Sequence, residues 1–227
     1  MTNAHPLVEV VVFDVVGTLA DLDAVRGRFV EVGLPESSFE GWFAHLLRDG
    51  MALTLTGGYE PFTAVASSSL RSHTRGSLAD SGIDHVVAGF AELDPHPDAA
   101  AALDAAADGG ARVFTLSNGS ASSTKDFLDR AAVSDRVEQV LSIDEVRAWK
   151  PAPAPYELAT SRAHVPPDRA ALVAVHSWDI HGARAAGWRT GWCRREETVP
   201  TPVFAAADVE ADTLDAVVNA LCRPPAR

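Results

Sequence analysis

Short apolar runs alternate with longer segments of helical spacing over much of the chain. Four runs rich in β-branched or aromatic residues predict strands buried on both faces, at residues 8–13, 112–116, 171–175 and 189–193. Four segments with helix start or stop signals predict helices, at residues 99–107, 122–132, 156–163 and 180–186. Strands and helices in this alternation predict a doubly wound α/β fold with a parallel sheet.

Residues 21–93 break the alternation. Their apolar side chains recur near helical spacing over residues 42–53 and again over residues 62–70. We therefore expect a small helical cap at residues 21–93, inserted after the first strand, and a core domain built from residues 1–20 and 94–227. Because open parallel sheets bind ligands beyond the carboxyl ends of their strands, this cap would cover the end of the first strand.

The 227-residue chain is acidic, with 31 Asp and Glu against 19 Lys and Arg and a formal net charge of −12 at pH 7. This balance argues against binding nucleic acid or an anionic membrane, since both need a basic face. No apolar stretch approaches the roughly 18 to 20 residues of a membrane span, and a signal peptide is not expected at the N-terminus.

The two cysteines, Cys193 and Cys222, form no metal-binding motif. We expect two free thiols in a cytoplasmic protein, with a single bridge as the alternative.

Polar side chains follow three of the predicted strands where those strands end. The candidates are Asp14 and Thr18 after the first strand, Ser117 and Asn118 after the second, His176 and Asp179 after the third, and Lys150 and Tyr156 around a proline-rich segment. Taken singly, these residues fit a turn, a helix cap, a solvated lysine or a structural histidine. Because the carboxyl ends of parallel strands share one edge of the sheet, we expect the candidates to converge there.

Four motifs carry a family resemblance that covers essentially the whole chain. They are FDVVGTL at residues 13–19, LSNGS at 116–120, WKPAPAPYELA at 149–159 and HSWDIHGARAAG at 176–187. In these motifs the chain resembles the haloacid dehalogenase superfamily and, within it, the 2-haloacid dehalogenase (type II) branch. The resemblance implies a Rossmann-like core with a small helical cap.

The resemblance also implies a hydrolase in which Asp14 is the nucleophile. Asp14 would displace halide from carbon in an SN2 step and form an ester that water then hydrolyses. Lys150 would keep Asp14 ionised, because an ammonium within about 4–6 Å lowers a carboxylate pKa by roughly 1–3 units. Asp179 would hold Lys150 and help to activate the water, and Tyr156 would hydrogen-bond within this network.

Other residues take supporting roles by the same resemblance. Thr18, Ser117 and Asn118 would hydrogen-bond the nucleophile, the substrate carboxylate or the later oxyanion. The residues implied to surround the substrate are Val15, Phe43, Leu47, Phe62 and Trp178.

Two valines argue against the Mg²⁺-dependent phosphatases of the same superfamily. By resemblance, those enzymes carry a proton-donating aspartate two residues after the nucleophile and an acidic metal ligand early in the fourth motif. Val16 and Val175 occupy these positions here. A valine is neither an acid nor a ligand for a hard, oxygen-seeking cation. We therefore expect a reaction that needs no metal and no cofactor.

Two positions depart from the type II branch. Its characterised members carry an arginine, which receives the halide and steadies the substrate carboxylate, where this chain has Phe43. A phenyl ring lacks the guanidinium's fork of donors, and Arg48 lies about one and a half helical turns away. His176 stands where those enzymes often have asparagine, either as a fixed hydrogen-bond donor or as the group that positions or deprotonates water.

The expected substrate is a small molecule, a 2-haloacid by default. A molecule with another leaving group, or a bulkier and less anionic one that packs on Phe43, is the alternative. A phosphatase-like hydrolase and a catalytically silent binding protein on the same fold are the competing functions. The assembly is expected to be a monomer or, as in relatives, a homodimer.

Overall fold

Six parallel strands form a single sheet within residues 7–195 and 197–223, which are the residues that this computed structural model describes. The strands are β1 (Val10–Phe13), β2 (Arg112–Ser117), β3 (Gln139–Ser142), β4 (Ala170–Ala174), β5 (Arg189–Cys193) and β6 (Val209–Ala211). They run in the order β3-β2-β1-β4-β5-β6. This order confirms the predicted Rossmann-like α/β fold.

In the described part of the chain, helices lie in four of the five connections between strands and after β6. Within the described residues they are α1 (Asp23–Glu31), α2 (Phe39–Leu55), α3 (Phe62–His73), α4 (Asp80–Ala88), α5 (Ala99–Asp108), α6 (Ala121–Arg130), α7 (Pro153–Ala163), α8 (Ser177–Ala185) and α9 (Leu214–Cys222). Side chains alternate across a strand, so β1 contributes to two layers of the core. Val11 and Phe13 belong to the layer of α5 and α9, whereas Val10 and Val12 belong to the layer of α7 and α8.

The register of the sheet brings three strand ends together. β1 lies between β2 and β4, with Phe13 opposite Thr115 on one side and Val173 on the other. Asp14 follows β1 directly, and its N–H donates to the Val173 carbonyl at 3.1 Å. The residues that follow β1, β2 and β4 therefore share one edge of the sheet, as the sequence predicts.

Residues 21–93, which we call the helical insertion, contain α1 to α4. Their centre is Trp42, which is fully buried with its ring centroid 5.1 Å from that of Phe29 and 5.9 Å from that of Phe39. The two ends of the insertion lie side by side, since the Asp21 N–H donates to the Asp94 carbonyl at 2.8 Å. The insertion thus leaves and rejoins the sheet at one place, on the edge where Asp14 lies.

The pattern prediction misses β3, β6, α1, α4 and α9. β3 and β6 have only four and three residues and carry polar side chains, so they lack a clear apolar run. Some helix boundaries also differ: α8 begins at Ser177, with His176 as its N-cap residue, three residues before the predicted start. The bridge between Cys193 and Cys222 is excluded, because both cysteines are free and buried. Among the described residues, the helices are too short or too polar to cross a membrane.

Candidate active site

Lys150 joins the strand ends into one ionic network. Its Nζ donates to Asp14 Oδ1 at 2.8 Å, to Asp179 Oδ2 at 2.6 Å and to the Leu116 carbonyl at 3.0 Å. The side chains of Lys150 and Asp179 have no exposed surface, and that of Asp14 is 5% exposed. All three ammonium hydrogens are engaged, so Lys150 is held in one position between the two carboxylates.

The network holds Asp14 and Lys150 in their charged forms. Burial by itself raises the pKa of Asp14, but the Lys150 ammonium, His176 and the Thr18 hydroxyl outweigh burial and hold this pKa below its usual range. Burial lowers the pKa of Lys150, and the charges of Asp14 and Asp179 outweigh it and raise this pKa above its usual value. Each charge stabilises the other in a site that excludes water.

Asp179 and Tyr156 close the network on its inner side. The Tyr156 hydroxyl donates to Asp179 Oδ1 at 2.6 Å, so both carboxylate oxygens of Asp179 have a donor. Burial, followed by the negative charge of Asp179, raises the pKa of Tyr156 well above its usual value. Burial also raises the pKa of Asp179, although Lys150 opposes this shift. The geometry suits Asp179 to holding Lys150, and it offers no open oxygen for activating water.

Thr18 fixes the second oxygen of the candidate nucleophile. Its Oγ1 donates to Asp14 Oδ2 at 2.7 Å and accepts from the Val175 N–H at 3.2 Å. Asn118 instead holds the backbone of Lys150, because its Oδ1 accepts from the backbone N–H of Lys150 at 3.1 Å. Ser117 Oγ accepts from the Gly119 N–H at 2.9 Å and so shapes the turn after β2.

His176 lies beside Asp14, but its Nε2–H points to the carbonyl of Val16. Its Nε2 is 3.0 Å from the Val16 carbonyl oxygen and 3.7 Å from Asp14 Oδ2. A carbonyl oxygen only accepts, so Nε2 is the donor in this hydrogen bond. The imidazole also stacks on Trp178, with ring centroids 5.3 Å apart and planes at 16°. This arrangement favours the fixed donor over a base acting through Nε2.

Two cavities open beside the turn that follows Asp14. The first, about 370 Å³, is lined by Gly17, Phe39, Glu40, Phe43, Ala44, Leu47, Val175, His176, Trp178 and Glu197. The second, about 100 Å³, has a lining that includes Val15, Val16, Phe62, Phe90, Ser117, Ser120, Ser123 and Asp144. We call them the His176 cavity and the Ser117 cavity. Three of the five predicted substrate residues therefore line the first cavity, and Val15 and Phe62 line the second.

The donor set does not fit a divalent cation. The Lys150 ammonium lies between Asp14 and Asp179, where a metal bridging these carboxylates would lie. Val16 and Val175 add no oxygen side chain, and the described residues contain no group of three or more His, Cys, Asp or Glu side chains arranged to hold a metal ion.

Sequence reasoning does not find two residues that shape this site. Trp149 is fully buried directly before Lys150, and its indole Nε1 donates to the Glu60 carbonyl of the helical insertion at 3.1 Å. Glu197 reaches the His176 cavity from the segment after β5, and its Oε2 accepts from the Ser177 N–H at 3.1 Å. The sequence signal for Trp149 is its place at the start of the third motif, beside Lys150, whereas Glu197 lies in a segment without a pattern.

Comparison with known proteins identifies the family. A family model described as haloacid dehalogenase-like hydrolase matches residues 8–187. The chain is 30% identical over 184 residues to (S)-2-haloacid dehalogenase 1 of Pseudomonas sp. (strain CBS-3), covering 79% of this chain and 81% of that protein. It is 26% identical over 219 residues to haloacetate dehalogenase H-2 of Moraxella sp. (strain B), covering 93% and 97% of the two chains.

A solved structure agrees with these relatives. The crystal structure of a dehalogenase with an intermediate complex superimposes with a TM-score of 0.86 at 27% identity, covering 95% of this chain and 98% of that chain. The protein therefore belongs to the haloacid dehalogenase-like hydrolases. This family is the one that the sequence motifs predict, and membership makes the protein a hydrolase.

Proposed function

We propose that this protein hydrolyses the carbon–halogen bond of a 2-haloacid or a related small molecule, through an ester on Asp14 and without a metal. One observation carries the proposal: a buried, ionised Asp14, held by Lys150 and Thr18, lies beside two cavities with largely apolar walls. Two relatives whose names are haloacid dehalogenases support the same reaction.

The first step forms the ester. A carboxylate oxygen of Asp14 bonds to the substrate carbon while the carbon–halogen bond breaks, and halide leaves with the bonding electrons. The low pKa of Asp14 provides the ionised form, and burial keeps water from competing for it. Because halide is a stable anion, it needs no proton donor, and Val16 in place of an acid costs the reaction nothing.

The second step returns the free enzyme. Water attacks the carbonyl carbon of the Asp14 ester, the acyl C–O bond breaks, and the hydroxylated product leaves with release of one proton to solvent. Lys150 donates to Oδ1 of Asp14 and Thr18 to Oδ2, so whichever donor holds the oxygen that remains a carbonyl in the ester stabilises the negative charge that develops on it. His176 fixes the Val16 turn beside this oxygen through its own hydrogen bond.

The competing functions have less support. A Mg²⁺-dependent phosphatase needs oxygen ligands, and the ammonium of Lys150 already satisfies the two carboxylates that could supply them. Burying a lysine between two carboxylates costs desolvation free energy that their mutual attraction must offset. A silent binding protein has no need of this arrangement.

The helical insertion is proposed to act as a cap over Asp14. Its contacts with the core at Trp149 and the wall that Phe43 and Leu47 give to the His176 cavity support this role. The division into core residues 1–20 and 94–227 and cap residues 21–93, a cytoplasmic location and a homodimer remain predictions. Size-exclusion chromatography with light scattering tests the assembly.

Halide release tests the proposed reaction. The protein is incubated with both enantiomers of 2-chloropropionate and with haloacetates, in excess chelator. Asp14→Asn serves as the active-site variant, and Asp126→Asn, an exposed residue on α6, as the matched control. We expect release that survives the chelator, is lost in Asp14→Asn and persists in Asp126→Asn. Release that needs added Mg²⁺, or that is unchanged in Asp14→Asn, would contradict the mechanism.

A further inference from the structure

Each cavity carries acidic side chains in an otherwise largely apolar wall. Within the described part of the chain, the lining of the His176 cavity contains Glu40 and Glu197 but no lysine or arginine. The lining of the Ser117 cavity contains Asp144 and likewise no lysine or arginine. Glu40 is ion-paired with Arg26, which offsets its charge, so Glu197 is the carboxylate that a substrate anion in the His176 cavity would face.

Nearby cations are already engaged. Lys150 is fully buried between Asp14 and Asp179, so its one charge is offset by two carboxylates. The Arg195 guanidinium donates to both oxygens of Asp98, at 2.7 and 2.8 Å, and to the Thr18 carbonyl at 2.9 Å. Neither group lines a cavity, so neither is positioned to receive a substrate anion.

Glu197 lies at the rim of the site, against the amino end of α8. Its carboxylate accepts from the Ser177 N–H, in the first turn of α8, directly after His176. The amino end of a helix interacts favourably with negative charge, so this position suits a carboxylate. His176, which directly precedes Ser177 in the chain, is 3.7 Å from the carboxylate of Asp14, which links the Glu197 wall to the reacting centre.

The rest of the His176 cavity wall is aromatic or aliphatic. Phe43 stacks on Phe39 with centroids 5.8 Å apart and planes at 11°, and its ring lies 6.4 Å from that of His176. Trp178 and Leu47 complete this surface. Rings and methyl groups favour an uncharged, apolar group, and the 370 Å³ volume leaves space for one.

We propose that the preferred substrate is an uncharged 2-halo amide with an apolar substituent, and that Glu197 is the residue that selects against the corresponding carboxylate. This inference rests on the proposed hydrolysis at Asp14. The bonds formed and broken are those already given, so a 2-halo amide and water give a 2-hydroxy amide, halide and one proton. The amide retains the electron-withdrawing carbonyl next to the reacting carbon and lacks the negative charge.

The test compares 2-chloropropionamide with 2-chloropropionate, which share the reacting carbon and the leaving group. We expect kcat/KM to favour the amide by about tenfold or more in the wild type, since one charge at close range contributes an effect of this size. Glu197→Gln keeps an acceptor for Ser177 but removes the charge. It should raise kcat/KM for the acid about tenfold relative to that for the amide. Glu157 is an exposed residue on α7, and Glu157→Gln is the matched control. It should change kcat/KM for neither the acid nor the amide.

Binding of the two products separates this inference from the reaction. Lactamide and lactate are titrated calorimetrically into the wild type and into Glu197→Gln. One outcome is that neither 2-chloropropionamide nor 2-chloropropionate releases chloride, while lactamide binds more tightly than lactate and this preference depends on Glu197. In that case the assignment of the cavity stands and the proposed reaction fails. A wild-type preference for 2-chloropropionate, or equal changes for acid and amide in Glu197→Gln, overturns the inference while leaving the reaction intact. If lactamide and lactate bind equally and neither chlorinated substrate releases chloride, both proposals fail.

Discussion

Trp149 packs its indole ring against the backbone of Gly50. A Cβ atom at Gly50 would lie 2.3 Å from Cδ2 of this ring, which is shorter than any normal contact. Gly50 belongs to α2 of the helical insertion, and Trp149 directly precedes Lys150. This contact therefore links the position of the insertion to that of the lysine that holds Asp14.

Gly50→Ala should weaken both the fold and the site. The added methyl group must displace Trp149 or α2, and overpacking of this kind costs about 1–3 kcal/mol. We expect a lower free energy of unfolding, measured by urea denaturation, together with slower halide release. Gly41→Ala on the same helix is the control, because its Cβ would lie 3.5 Å from the nearest atom outside the helix, in His73. Gly41→Ala should be neutral or stabilising by up to about 1 kcal/mol. Equal effects of the two substitutions would refute the role of the Trp149 contact.

Lys150→Met should leave two buried carboxylates without a counter-ion. Breaking a buried ion pair on one side costs about 3–5 kcal/mol, and the nucleophile should lose activity because burial then raises its pKa. Lys150→Met combined with Asp14→Asn and Asp179→Asn removes the charges as well, so it should recover part of the lost stability. A single substitution as stable as the wild type at pH 7 would show that the network is not ionised.

The stability difference between wild type and Lys150→Met should depend on pH. In the wild type, the pKa of Asp14 lies below its usual 3.8, so its contribution to stability is present above pH 3.8 and is lost as pH falls through the lowered pKa. The pKa of Lys150 lies above its usual 10.5, so its contribution is present below pH 10.5 and is lost as pH rises through the raised pKa. The difference should therefore be largest between about pH 4 and 10. Urea denaturation of both proteins from pH 3 to 11 measures it, and a difference that does not vary over this range would count against the ion pairs.

Phe43→Arg should raise the rate of halide release from 2-chloropropionate by about tenfold or more. A guanidinium at this position offers donors to the carboxylate and offsets the charge of Glu197 in the same wall. Phe43→Leu is the control, since it removes the ring without adding a charge, and it should not raise this rate. Steady-state chloride release measures both, with 2-chloropropionamide as the uncharged reference. If Phe43→Arg leaves the acid rate unchanged, another residue determines charge selection.

Local pattern explains which parts of this protein the sequence predicts. Long apolar runs such as β1 and β4 must be buried on both faces, and the polar residues that follow them are then placed by sheet geometry alone. That is why Asp14 and Asp179 can be placed at one edge in advance. The Gly50–Trp149 contact and the arrival of Glu197 at the His176 cavity depend on how distant segments pack, and short mixed segments such as β6 carry too few residues to form a pattern.

His176→Ala should slow hydrolysis of the Asp14 ester more than its formation. The imidazole donates from Nε2 to the Val16 carbonyl and stacks on Trp178, so its loss releases the Val16 turn and removes the ring that lies 3.7 Å from Asp14 Oδ2. Intact-protein mass spectrometry after mixing with substrate should show the added mass of the ester, which Asp14→Asn should lack. His176→Asn retains an N–H donor and should hydrolyse the ester faster than His176→Ala if the fixed donor is what matters. If His176→Asn traps as much ester as His176→Ala, the imidazole itself is required, and His176 would then be assigned to water activation through Nδ1.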